Sequence, residues 1–170
     1  MSSTTLASGR TSTAQTLDSI LDRADAAQAV VQRFLARTAE PALRISLGLV
    51  FLVFGVLKFF PGVSPVEGLV GRTWNALSFG VIDGSAAMIL TGALETFVGL
   101  ALVTGLLLRI GLLVLAGTFI GIFSPLVLFG SEAFGATGPT LTGQYILKDV
   151  VLVAAAMVVA AAALKRPIRR

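Results

Sequence analysis

The chain has 170 residues, of which 55% are hydrophobic and 13% charged, and a mean hydropathy of +0.91. Soluble domains carry about 25% charge, so this composition belongs in a bilayer, and the length suits one domain of about four spans of roughly 20 residues each plus a tail. A net charge of +4, concentrated at the chain ends without a basic stripe among aromatics, argues against nucleic-acid binding, while zero Cys and zero His exclude disulfides, Fe–S clusters, His-ligated haem and conventional zinc sites.

Residues 1–12 are rich in Ser and Thr and read as disordered. The first strongly apolar run begins near Ile45, too late for a signal peptide, and Asp18, Asp22 and Asp25 argue against a mitochondrial transit peptide. Between them, Leu17, Ile20, Leu21, Ala24, Val31, Phe34 and Leu35 recur at three- and four-residue steps, predicting an amphipathic cytoplasmic-side helix over 13–38. Its acidic start and basic end (Arg33, Arg37) suit the helix dipole. Two uses stand: an in-plane anchor or docking helix for a cytoplasmic or membrane partner through residues 14–37, or a helix resting on its own bundle.

Pro41 suits the first turn of the next helix. Four transmembrane spans are predicted at about 42–60, 85–107, 110–129 and 143–164, giving an all-α four-helix bundle. Pro61-Gly62 stops the first span. In the 61–83 connection, Ser64-Pro65-Val66-Glu67 has the form of a capping box, and the stripe that follows predicts a short interfacial helix with Trp74 at headgroup depth. Arg109 marks a tight turn between spans two and three. Ser124-Pro125 is expected to kink span three, whose Gly117 and Gly121 permit a homo-oligomer face but more often serve packing within one bundle. A polar loop over 130–142 leads to span four, and 165–170 form a basic tail.

Orientation follows Lys and Arg. Arg33, Arg37 and Arg44 precede the first span, Arg109 lies between the second and third, and Lys165, Arg166, Arg169 and Arg170 follow the fourth. The other two connections hold only Arg72, so both termini are expected in the cytoplasm.

The charges inside the spans point to function. Glu95 lies near the middle of span two, where an ionised carboxylate costs on the order of 2.5–3.5 kcal/mol even on insertion scales. Gly92 and Gly99 share its stripe, and Gly48, Phe51 and Gly55 share that of Lys58, as close bundle packing requires. Lys148 and Asp149 enter span four about two turns from its outer end, behind Gln144 and Tyr145. Two cations and two anions in the outer half sum to zero, which suits either a self-compensating structural network or a polar pocket. If the spans end flush, Lys58 and Glu95 are about 12 Å apart along the axis, which makes Lys148 the better partner for Glu95.

Arg44-Ile45-x-x-Gly48-x-x-Phe51-x-x-x-Gly55-x-x-Lys58 resembles the opening span of DoxX-like membrane proteins, and Gly92-x-x-Glu95-x-x-x-Gly99 followed by Arg109 resembles their second. Pro65-x-Glu67-Gly68-Leu69-Val70 and Tyr145-Ile146-Leu147-Lys148-Asp149 look more like the branch linked to reactive-chlorine resistance. The resemblance covers about 42–164. It implies a four-helix protein of the bacterial cytoplasmic (inner) membrane, a redox or oxidative-stress association, and a site lined by Lys58, Glu95, Gln144, Tyr145, Lys148 and Asp149 with quinone as one candidate ligand. Without Cys or His the chain has no visible electron carrier, and three methionines are too few for a copper surface, so no catalytic or metal residue is expected. Three readings follow: a non-catalytic subunit or scaffold holding a lipid-soluble ligand, a small proton-coupled permease using Glu95, and a purely structural subunit of a larger complex. Discontinuous helices would favour the permease.

Overall fold

The structure, a computed structural model, describes residues 4–165, with side chains from residue 18 onward; the expected tail beyond Lys165 and the first three residues lie outside the described part. Four helices are long and apolar enough to cross a membrane: Asp18–Leu57, Gly84–Thr104, Leu108–Leu128 and Leu141–Lys165. The elements run α1 (Thr4–Leu57), α2 (Glu67–Leu77), α3 (Gly84–Thr104), α4 (Leu108–Leu128), α5 (Gly130–Ala133), strands β1 (Phe134–Gly135) and β2 (Gly138–Pro139), α6 (Leu141–Leu147) and α7 (Val150–Lys165). α1 is assigned from Thr4 with Pro41 inside it, where the sequence reading has a disordered start and a second helix.

The chain divides after Ala39 into two compact units. In the first, the apolar stripe of Ile20, Leu21, Val31, Phe34 and Leu35 is exposed, and Thr38 Oγ1 donates to the Phe34 carbonyl at 2.9 Å.

The second unit holds the bundle. Each span contributes two residues to the apolar core: Leu47 and Phe51 from α1, Val98 and Leu102 from α3, Leu115 and Phe119 from α4, Ala156 and Val159 from α7. Phe51 and Phe119 meet edge to face, with ring centroids 6.0 Å apart. The α3–α4 turn is tight because Gly105 closes α3 at φ 76°, its N–H donating to the Ala101 carbonyl at 2.9 Å. A Cβ there would also meet the Arg44 guanidinium at 2.5 Å.

Glycines set how α1 and α3 lie together. A Cβ at Gly48 would sit 2.9 Å from Leu102 Cβ, one at Gly99 2.5 Å from Leu52 N, one at Gly55 2.6 Å from Thr96 N, and one at Gly92 3.0 Å from the Gly55 carbonyl oxygen. Backbones this close are the gain of small residues at a membrane helix interface. They also fix the axial register. α1 ends at Leu57, level with Gly92, about 12 Å short of the Gly84 end of α3. The spans do not end flush, and α2 packs beside α3, where Trp74 Nε1 donates to Thr91 Oγ1 at 2.7 Å.

Three local expectations are corrected. Ser64 is not a side-chain cap: α2 begins at Glu67 after Val66, and Glu67 Oε2 instead accepts from the Gly62 N–H at 2.8 Å, bracing the reversal that follows α1. The 130–142 loop contains α5 and a two-residue antiparallel ladder, with Phe134 opposite Pro139, before Thr140 caps α6 through the Gly143 N–H at 3.2 Å. Span four is interrupted at Lys148-Asp149, where Asp149 N donates to Ile146 O at 3.0 Å and Val151 N to Lys148 O at 3.1 Å, the three-residue step of a tightened turn. By contrast α4 runs through Pro125 to Leu128.

Candidate functional site: a buried ion pair beside two helix breaks

The polar residues continue the core's inward stripes by one or two turns. Lys58 lies seven residues beyond Phe51, Glu95 three before Val98, and Asp149 seven before Ala156. Lys58 Nζ meets Glu95 Oε2 at 2.6 Å, and each residue is only 6% exposed. This corrects the expectation that Lys148 partners Glu95. The 12 Å separation assumed flush spans, and the early end of α1 removes it.

Lys58 sits in the turn that ends α1, where its own N–H donates to the Gly55 carbonyl at 3.1 Å. The ammonium lies 3.4 Å from the Phe54 carbonyl oxygen, so it answers both a carboxylate and the negative end of a buried helix. Asp149 is half-buried and within Coulombic reach of Lys58 and Glu95.

The remaining candidates are not gathered here. Lys148 is exposed, its ammonium 3.5 Å from the centroid of the Tyr145 ring. Gln144 is exposed and donates through Nε2 to the Pro139 carbonyl at 3.0 Å. The buried part of the network is therefore the Lys58–Glu95 pair, with half-buried Asp149 beside it under the charge of both Lys58 and the exposed Lys148. Among the described residues no cluster of three or more His, Cys, Asp or Glu could hold a metal ion.

Sequence reasoning missed three features around the pair. Thr96, next to Glu95, keeps its Oγ1 buried without a hydrogen-bond partner among the described residues, whereas Thr73, Thr91, Thr104 and Thr118 all donate to the carbonyl four residues back. Trp74 donates to Thr91, one turn from Glu95. Arg72 grips Glu132 with two bonds of 2.7 and 2.8 Å and lies 5.0 Å from the Phe129 ring centroid, so its guanidinium holds the Glu132 carboxyl below the usual range. That last pair was open to inspection, since Arg72 is the one basic residue in 61–83 and Glu132 the one acidic residue in 130–142.

An apolar groove of about 450 Å³ lies beside the interruption of span four, lined by Phe119, Ile120 and Phe123 of α4 and Val150 and Val153 of α7. It begins one residue after Asp149 and faces outward from the bundle.

Comparison with known proteins agrees with the helix pattern. The model of the DoxX family matches residues 41–130, just over half of the chain, taking in Lys58, Glu95 and the glycines that seat α1 on α3. No curated protein and no solved structure gives a match. With four apolar helices of spanning length and this match, the chain is a multi-pass membrane protein that belongs to the DoxX family.

Proposed function

We propose that the chain is a non-catalytic subunit or scaffold of a redox or oxidative-stress system in the bacterial inner membrane, of the reactive-chlorine-resistance type. It holds a small lipid-soluble, quinone-like ligand at Lys58, Glu95 and Asp149. The observation that carries this reading is the buried 2.6 Å Lys58–Glu95 pair, with the half-buried carboxylate of Asp149 within Coulombic reach. Such a cluster offers a hydrogen-bonding head group both donors and acceptors, and the unpartnered Thr96 hydroxyl adds another. The shallow apolar groove between α4 and α7, which begins at Val150 beside Asp149, would take the apolar body of such a ligand. With no Cys or His in the chain, electrons would come from the ligand or a partner.

Native mass spectrometry of protein purified gently from its own membrane tests the reading. A quinone-sized adduct on the wild type is expected, lost in Glu95→Gln and weakened in Asp149→Asn. An adduct equally retained by both variants would remove the cluster as its seat.

A proton-coupled permease is the second reading, favoured by one observation. Span four is interrupted at Lys148-Asp149 beside the ion pair, and discontinuous helices around a mid-membrane ionisable group are a transporter arrangement. Proteoliposomes would then show proton flux that Glu95→Gln abolishes; sealed vesicles equal to protein-free controls would end this reading.

A further inference from the structure

We propose that α2 is a latched cover over the Lys58–Glu95 pair, opening that pair to water from the Gly84 end of α3. The inference rests on reading the pair as the site and adds how access to it is regulated.

The cover is required by the axial offset. Because α1 stops level with Gly92, the last two turns of α3 beyond Glu95 lack α1 as a neighbour, and α2 takes that place. Its inward residues are Thr73, 5% exposed, and Trp74, bonded to Thr91 one turn above Glu95.

The means of attachment mark α2 as movable. Among the described residues, none of α2 belongs to the apolar core cluster. It packs on α3 and α4 with Leu69, Val70 and Trp74 half-buried, and its polar ties are Trp74 to Thr91 and the two-bond Arg72–Glu132 clasp to α5, which is open to solvent. Elements outside the main core open more readily than those within it, and gating segments are drawn from them.

Both ends of α2 have pivots. Gly62 lies at φ 76° before it, and Phe79 and Gly80 follow at 55° and 86°. Glycine takes such angles freely, but Phe79 does not, and it stays 96% exposed with no packing to offset the strain. Water also reaches the flank of α2. A cleft of about 430 Å³ is lined by Gly71, Arg72, Asn75 and Ala76 of α2 together with Asp83, Gly84 and Phe129.

The chain contains no cysteine, so a single Thr73→Cys reports on the buried face of α2 in the full-length protein in membranes. A water-soluble maleimide should label Thr73→Cys slowly. Adding Glu132→Gln, or Trp74→Phe as an independent release of the other contact, should speed labelling about threefold or more, the scale of one exposed ion pair. Reversing the clasp with Arg72→Glu and Glu132→Arg together should restore the slow rate. Equal rates across all these variants, or fast labelling in the reversed clasp, would overturn the cover. Ligand content measured on the same samples keeps the two readings apart: faster labelling with Glu95 irrelevant to ligand retention sinks the site alone, and unchanged labelling with Glu95-dependent retention sinks the cover alone.

Discussion

Lys58 and Glu95 occupy an apolar bundle, and removing either charge from water costs several kcal/mol that only a close, well-aligned partner offsets. Their 2.6 Å contact and the Phe54 carbonyl near the ammonium supply that partnering. The consequence is an asymmetry between single and double substitution. Lys58→Met strands a buried carboxylate and should cost about 3–5 kcal/mol, or less if Glu95 takes up a proton. Lys58→Met with Glu95→Met removes both desolvation costs and should return to within about 1 kcal/mol of the wild type. Reversible unfolding in mixed micelles measures both. A double variant no more stable than the single would mean that the pair's worth is not mutual compensation. Recovery of stability together with loss of the ligand would separate a binding role from a purely structural one.

At the scale of helices, some of this arrangement was legible and some was not, for definable reasons. The stripes Gly48, Phe51, Gly55, Lys58 and Gly92, Glu95, Gly99 are set by helical spacing alone, and all seven residues are buried. Axial register is a different kind of quantity. It depends on where backbones touch, and Gly55 against Thr96 or Gly99 against Leu52 requires knowing which glycine seats on which neighbour. Pro61-Gly62 read naturally as the end of span one, yet α1 ends at Leu57, level with Gly92 of α3, and α2 completes that side. The shift of about 12 Å is what exchanges Lys148 for Lys58 as the partner of Glu95. The break at Lys148-Asp149 was hidden for another reason: no Pro or Gly marks it, and it is stated only by two three-residue hydrogen bonds. In α4 Pro125 lies inside a helix that continues to Leu128. Gly117 and Gly121 allowed either an oligomer face or packing within the bundle, and neither has a neighbour within 4 Å of an added Cβ.

For the molecule as a whole, the distribution of charge over the two ends of the bundle predicts its placement in the membrane. At the end closed by Gly105, Arg44 lies over the turn, Arg109 Nη2 donates to the Ala163 carbonyl at 3.4 Å, and Lys165 ends α7. At the other end the connections carry Glu67, Asp83 and Glu132 against Arg72, which is already clasped to Glu132. Basic residues near span ends are retained on the cytoplasmic side, so the Gly105 end should face the cytoplasm and α2 the outside. The cysteine-free chain allows a direct check with two exposed positions, Phe79 beside α2 and Leu106 in the α3–α4 turn, the latter 72% exposed. In intact cells an impermeant maleimide should label Phe79→Cys and leave Leu106→Cys untouched until the membrane is permeabilised. The reverse pattern would invert the molecule. It would leave the ion pair where it is, but the cover over Glu95 would then open to the cytoplasm, and any partner controlling it would have to be sought on that side.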